Sequence, residues 1–465
     1  MPRSTLDALS GGLLALTMLL VMLAEWTGMR AFALCADAAA APLALILAVQ
    51  VRWSRRIFVI VGLALTAVAA TSRADWLDLV THGLGKTAFI AGFFTALASL
   101  RNASGSSAAI TVSGRFLAQQ PPGRRYAALT AGGALFGMLL NYGALVLLGG
   151  MAAANAAEEP NPEIRAHRTR RMLLAIQRGF IATLPWSPLA FAVAISTTLI
   201  PGARWGDAAG ACLVSGAILA LTGWALDTAF KPHLSAPAPA RAKAEGSWLS
   251  LWPLLALLGL LVAGVGGLQL LTGVRTVGVV MLVAPCMALG WIILQNAGAR
   301  PVATTLARAR HYLSVDLPGY RSEIVLLMMA GYIGTLGAGL LGPHIAASGI
   351  DLTAVPGWAI LIGIVWIIPL AGQLGMNPIL SVSLMAPLLP EASALGLRPA
   401  DLMVAITAGW GLAGASSPYT ASTLLIGSLG GVSALKVGLG WNGPYLLVTG
   451  AALSLWVLAS AALGA

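Results

Sequence analysis

ALTAGGALFGMLLNYGALVLLGG (residues 128–150) and AITAGWGLAGASSPYTASTLLIG (residues 405–427) decide the fold. At a fixed offset of 277 residues, 11 of their 23 positions are identical: Ala128, Thr130, Ala131, Gly132, Leu135, Gly137, Tyr142, Ala144, Leu147, Leu148 and Gly150 in the first copy. Pro122 and Pro399 obey the same offset. A polar interruption precedes that proline in both halves, with Asn102 20 residues and Asn377 22 residues upstream. The segments after the copies also close alike. One ends in Arg178-Gly179-Phe180 with Trp186-Ser187-Pro188, the other in Val437-Gly438-Leu439 with Trp441-Asn442-Gly443-Pro444. Shared elements in a shared order imply an internal duplication.

The sequence around these copies is too apolar for a water-soluble protein. Of 465 residues, 58% are apolar and 9% charged, with a mean hydropathy of +0.86. A soluble domain carries roughly 25% charged residues. Most of this exterior must therefore face lipid. The net charge of +11 would suit nucleic acid. The basic residues, however, sit in short loops between apolar segments, as membrane topology requires, so no nucleic-acid partner is expected. Cys35, Cys212 and Cys286 lie in apolar stretches, are odd in number and form no CxxC pair. They read as small core residues, not as disulfide or metal ligands.

Eleven stretches approach the roughly 20 apolar residues that a ~30 Å hydrocarbon core demands. They lie near 9–26, 31–51, 57–71, 126–150, 173–200, 207–230, 249–271, 276–296, 323–343, 402–427 and 443–464. The first is long for a secretory signal, and apolar segments continue to the C-terminus, so it reads as a membrane span. Two further stretches, 84–118 and 356–393, carry a polar or helix-breaking cluster at the centre. These clusters are Arg101-Asn102-Ala103-Ser104-Gly105-Ser106-Ser107 and Gly372-Gln373-Leu374-Gly375-Met376-Asn377-Pro378. Each stretch reads as a re-entrant hairpin.

KPHLSAPAPARAKAEG, from Lys231 to Gly246, is a Pro/Ala-rich linker. It divides the chain into a first half, 1–230, with hairpin 84–118 and broken helix 126–150, and a second half, 248–465, with hairpin 356–393 and broken helix 402–427. The linker, 231–247, is expected in the cytoplasm, as are most basic loops when the N-terminus is inside. The expected fold is an all-α polytopic membrane protein. It has about 11 transmembrane helices and two re-entrant hairpins in two structural repeats, and sits in a bacterial-type inner membrane.

A helix in hydrocarbon satisfies its own backbone. Each broken N–H or C=O costs several kcal/mol unless protein, water or ligand replaces the lost partner. A chain that breaks helices in matching places in both halves is expected to have built a site there, as secondary transporters do. Besides the hairpin interruptions, each repeat copy carries a break of its own: Leu140-Asn141-Tyr142-Gly143, and Ala415-Ser416-Ser417-Pro418-Tyr419-Thr420. Pro418 lacks an N–H and clashes with the preceding turn, so the span 402–427 should break there.

A hairpin interruption followed by a second, proline-marked break resembles the divalent anion:sodium symporters. More widely it resembles the ion transporter superfamily, which includes the large permease of TRAP transporters. The run GMNPILSVSLMAPLLPEASALGLRPADLMVAITAGWGLAGASSPYTASTLLIGSLGGVSALKVGLGWN carries the likeness. It is similar to the family's hairpin, proline-bearing broken helix and closing Gly…Asn segment, in that order. The likeness covers most of the chain by element order and is specific over about 98–150 and 370–442. Family members carry Ser-Asn-Thr at each hairpin tip. Here Arg101-Asn102-Ala103-Ser104 and Met376-Asn377-Pro378 stand there, and only the asparagine is kept. The resemblance implies an elevator-type homodimeric carrier with inverted repeats, a scaffold domain, and a moving domain that holds both hairpins. Six hydropathy spans separate the starts of the two copies, an even number that makes them parallel. Either the span 207–230 does not cross or the boundaries differ.

The candidate residues follow from the interruptions. A buried arginine is costly and seldom idle. Arg101 offers a fork for an anionic group, or a fixed cation where a sodium ion would bind; at the membrane surface it would instead snorkel. Asn102 and Asn377 would bridge the hairpin tips. The expected substrate-binding set is Arg101, Asn102, Ser104, Asn141, Asn377, Ser416, Ser417 and Thr420. The expected coupling-ion set is Asn102, Ser106, Ser107, Asn377 and Pro418, with sodium as the candidate ion and no other cofactor. The two motif regions contain no paired carboxylates, His/Cys cluster, GxSxG or phosphate loop, so an enzyme is not expected. The expected activity is secondary transport of a small organic anion, a carboxylate. An ion exchanger or inorganic oxyanion transporter on the same scaffold is the alternative; a non-transporting membrane protein would need a catalytic constellation that is missing.

Overall fold

The computed structural model describes residues 3–105, 107–231, 247–296, 301–349 and 351–464. Ser106 and most of the linker, 232–246, lie outside the described residues. Among the described residues every regular element is helical. The first half holds α1 (Arg3–Thr27), α2 (Arg30–Gln50), α3 (Trp53–Ser72), α4 (Trp76–Gly105), α5 (Ala108–Ala118), α6 (Pro122–Leu140), α7 (Tyr142–Ala157), α8 (Pro162–Ile181), α9 (Phe191–Leu199) and α10 (Trp205–Ala229). The second half holds α11 (Trp252–Thr272), α12 (Thr276–Gln295), α13 (Pro301–His311), the single turn α14 (Leu317–Gly319), α15 (Arg321–Ala347), α16 (Gly357–Gln373), α17 (Pro378–Met385), α18 (Pro399–Ser416), α19 (Ala421–Gly430) and α20 (Gly443–Gly464). Two π-helical turns, Tyr312–Asp316 and Lys436–Trp441, precede α14 and α20.

Among the described residues nine helices are long and apolar enough to cross a membrane. Eight coincide with expected spans. The ninth is α4, 30 residues long, where the sequence pattern points to one arm of a hairpin. The other three expected spans are split: 126–150 at Asn141, 173–200 between α8 and α9, and 402–427 at Ser417–Thr420. Arg101 and Asn102 stay helical, and the interruption begins only after Gly105. The reason is tertiary. Ala103 packs with Ala288, Ile292 and Trp291. Its carbonyl accepts a 3.3 Å hydrogen bond from Gln295 Nε2, which replaces a lost intrahelical partner.

Two compact units divide the chain, and each draws on both halves. Unit 1 comprises Met1–Ser104, Leu261–Ala354 and Ile379–Pro390. Unit 2 comprises Gly105–Leu260, Val355–Pro378 and Glu391–Ala465. Lipid offers little hydrophobic drive between helices, so close backbone approach at small residues must hold them together. In unit 1 a Cβ on Gly83 would lie 2.6 Å from Leu336 Cδ1, and one on Gly92 3.1 Å from the Met18 Cα. Polar contacts add to this: Trp26 Nε1 donates to the Gly278 carbonyl at 3.0 Å, and Arg321 pairs with Asp7 at 2.6 Å. Cys212 is buried as expected, whereas Cys35 and Cys286 are exposed; in a lipid-facing chain an apolar stretch need not be core.

Unit 2 is organised around α8. A Cβ on Gly133 of α6 would lie 2.3 Å from the Ile176 carbonyl oxygen, and one on Gly179 of α8 2.0 Å from that of Thr130. On the other side, Gly414 of α18 faces Ile181 Cγ2 at 3.2 Å. The last turns of α8 therefore touch the first segments of both broken helices. The second segments meet as well, since a side chain at Gly149 of α7 would run into Leu429 of α19.

Candidate functional site

The second break lies in the most enclosed helix of unit 2: α18 is buried from Ala400 to Ser416. It stops because Pro418 can neither donate nor accommodate the preceding turn, and Ser417 is extended (φ −70, ψ 125). Neighbouring groups take over the freed backbone positions. Ser417 Oγ donates to the Gly372 carbonyl at 2.6 Å and accepts the Tyr419 N–H at 3.3 Å. Thr423 and Thr420 hydroxyls donate to the Ser417 carbonyl at 2.5 and 3.0 Å. Ser422 Oγ donates to the Gly414 carbonyl. Ser416 Oγ donates to the Leu412 carbonyl at 2.8 Å and accepts from Gln373 Nε2 at 3.4 Å. The other end of that amide, Gln373 Oε1, is buried without a partner.

The interruption after α16 adjoins this break. Gly375 adopts φ +92, a conformation open to glycine, and its missing Cβ would sit 4.0 Å from the Tyr419 ring. Asn377 is half-buried in the same segment. Ser416, Ser417, Pro418, Thr420 and the Asn377 segment are thus brought together.

Behind the break, Asn442 is fully buried at the end of the second π-turn. Its Nδ2 donates to the carbonyls of Ala415 and Val437 at 3.1 and 3.2 Å and to Gln177 Oε1 at 3.0 Å. Its Oδ1 accepts from Arg178 Nε at 3.1 Å. The Arg178 guanidinium also donates to Tyr126 OH at 3.0 Å and lies 4.3 Å from the Tyr445 ring centroid. Gln177, Arg178 and Asn442 were not among the expected site residues. Their signal was a charge inside the apolar run MLLAIQRGFIA, residues 172–182, the same feature that singles out Arg101.

The first break also rests on α8. Asn141 is the single described non-glycine residue with positive φ (φ 51, ψ −131), and its side chain does not cap α7. Under the 277-residue offset it stands opposite Pro418. The next residue, Tyr142, packs its ring 5.3 Å from that of Phe180.

The remaining expected residues lie elsewhere. Arg101, Asn102 and Ser104 belong to unit 1, and Ser107 begins α5 in unit 2. Arg101 Cζ stands 4.7 Å over the Tyr320 ring, and Asn102 Nδ2 donates to Asp316 Oδ2 at 2.7 Å. Burial raises the Tyr320 phenol above its ordinary range, with Arg101 acting in the opposite direction. Ser104 Oγ is buried without a partner. Among the described residues no group of three or more His, Cys, Asp or Glu is placed to hold a metal ion.

No protein-family model matches the chain, and no curated protein matches it either. Solved structures do. The YdaH transporter of Alcanivorax borkumensis is similar at a TM-score of 0.52 and 18% identity, over 87% of this chain and 98% of that one. MtrF of Neisseria gonorrhoeae, described as illuminating a class of antimetabolite efflux pumps, is similar at a TM-score of 0.52 and 15% identity, over 88% and 96%. This chain is a multi-pass helical membrane protein. At these identities, what it shares with those two transporters is the fold.

Proposed function

We propose that the protein is a secondary transporter that moves a small organic anion, a carboxylate, across a bacterial-type inner membrane. The observation that carries this reading is that both broken helices belong to one compact unit and lean on one helix, α8. Helix breaks are costly in a membrane and are retained where a solute or ion uses them. The shared fold with two transporters supports the same reading. In it, unit 2, which holds both broken helices, is the carrying body and unit 1 the scaffold of an elevator-type homodimer. The division runs through both hairpin stretches, 84–118 and 356–393, where the resemblance to the ion transporter superfamily implies one moving domain holding both. The unpartnered oxygen of Gln373, beside the Ser416 hydroxyl, suits a coupling cation such as sodium. The name of MtrF adds export of antimetabolites to the solutes and directions worth assaying.

The experiment is transport in proteoliposomes. Purified protein is given radiolabelled aromatic and aliphatic carboxylates, then sulfate and phosphate, with and without a sodium gradient. Saturable carboxylate flux, absent from empty vesicles, is the expected result. Flux of sulfate or phosphate alone would overturn the carboxylate assignment. No flux of any solute under any gradient would overturn transport itself.

A further inference from the structure

Arg178 carries a charge into the interior of unit 2 at 5% exposure. Buried charges are normally paired, yet its partners are all neutral. Nε reaches Asn442 Oδ1 at 3.1 Å, Nη1 reaches Tyr126 OH at 3.0 Å and the Gly223 carbonyl at 3.4 Å, and the Tyr445 ring covers one face at 4.3 Å. Nη2 makes no hydrogen bond among the described residues. The acidic residue on the neighbouring helix, Asp227, is already held by Arg171 through two bonds of 2.8 and 2.7 Å.

A second, independent observation lies one residue away. Gln177 is fully buried; its Oε1 accepts from Asn442, but its Nε2 is enclosed with no partner. An unmet buried donor is expensive, and the Arg178 charge has no carboxylate among its hydrogen-bond partners. Asn442 joins the two residues and offers the free donors no acceptor, because its Oδ1 is engaged by Arg178 Nε at 3.1 Å and its Nδ2 is itself a donor. The cluster therefore has N–H groups in excess and lacks an acceptor. The carbonyl ends of α8 and α18 supply at most about half a negative charge each and leave the Gln177 amide unanswered.

We propose that Gln177 and Arg178 form a binding site for one monovalent anion, held beside the second break by the guanidinium and the free amide. The site stands on this donor excess and does not depend on the chain being a transporter. Its ligand is either the carboxylate of an organic solute or a free inorganic anion.

The test is calorimetric titration of the purified full-length protein in chloride-free buffer with benzoate and, separately, with chloride. The wild type should bind one anion. Arg178→Gln should weaken binding at least about tenfold, as expected for a lost charge-assisted contact, and Arg178→Lys should retain most of it. Gln177→Leu should weaken binding several-fold while leaving the charge in place. Binding of benzoate but not chloride assigns the site to an organic carboxylate, and binding of chloride assigns it to an inorganic anion. The proposal is overturned if neither anion binds, or if Arg178→Gln binds as the wild type does. Should Arg178→Gln fail to fold, unchanged affinity in Gln177→Leu overturns it equally. Binding without flux in the vesicle assay would uphold this site and remove only the transport reading.

Discussion

Ser417 Oγ donates a 2.6 Å hydrogen bond to the carbonyl of Gly372, and so fastens the break in α18 to the last turn of α16. The two residues are 45 positions apart. Each belongs to an interruption, and the Ser417 hydroxyl supplies a donor to a carbonyl in the last turn of a helix that stops there. Ser417 is fully buried, so no water replaces the bond. Ser417→Ala should cost about 0.5–1.5 kcal/mol, the net worth of one hydrogen bond, since the Gly372 carbonyl keeps the Gly375 N–H at 3.3 Å, and should reduce flux. Ser417→Thr should recover much of both. Thermal unfolding in detergent together with vesicle flux measures it; equal melting temperatures for wild type and Ser417→Ala would remove the fastening role.

At Asn141 conformation and function should separate. A non-glycine residue at φ 51, ψ −131 stores on the order of 1–3 kcal/mol of backbone strain. Asn141→Gly should therefore stabilise the protein by about 1 kcal/mol, whereas Asn141→Ala should not. If the amide serves the solute, the more stable Asn141→Gly protein will carry it more slowly. A variant that gains stability and keeps full flux would reduce Asn141 to a turn residue.

The breaks were legible in the sequence because their causes are local. Pro418 cannot extend a helix wherever it is packed, and Gly375 marks a turn that other residues avoid. The two-unit division was not legible. Each unit takes segments from both halves, whereas hydropathy reports contact with lipid and says nothing of which helices adjoin. The end of α4 is not legible for a related reason. Arg-Asn-Ala-Ser-Gly is a poor helical sequence, yet Asp316 and Gln295, more than 190 residues away, hold Asn102 and Ala103 in the helix. The hydroxyl cluster was found, but most of its oxygens are spent on nearby backbone, the usual fate of Ser and Thr in membrane helices. Arg178 carries the same sequence signal as Arg101, a charge inside an apolar run, but that its hydrogen-bond partners are all neutral is legible only in three dimensions.

Close packing at α8 makes a sharp comparison of two glycines. A Cβ at Gly179 would stand 2.0 Å from the Thr130 carbonyl oxygen, and backbone cannot swing aside as a flexible side chain can. Gly179→Ala should cost about 1–3 kcal/mol or prevent folding. Gly210 of α10 has nothing within 4 Å of the same position. Gly210→Ala should leave stability unchanged or raise it by up to about 1 kcal/mol through helix propensity. Melting temperatures of the two variants decide it; similar losses in both would mean that α6 and α8 are not in this contact.

Asn102 and Asp316 can be tested as a pair. Asn102 Nδ2 donates to the carboxylate at 2.7 Å across 214 residues of sequence, and bonds to a charged acceptor are worth about 1.5–3 kcal/mol. His311 Nε2 lies 3.7 Å from the other carboxylate oxygen, so the acid keeps a neighbour when the asparagine is removed. Asn102→Ala and Asp316→Ala should each destabilise the protein. The double variant should lose less than the sum of the two, by roughly the energy of the bond they share. Additive losses would mean that the bond does not form in the membrane. The same variants separate two roles for Asn102. If it only pins the end of α4, both single variants should alter flux alike. If it also touches the solute, Asn102→Ala should raise KM well beyond Asp316→Ala at equal loss of stability.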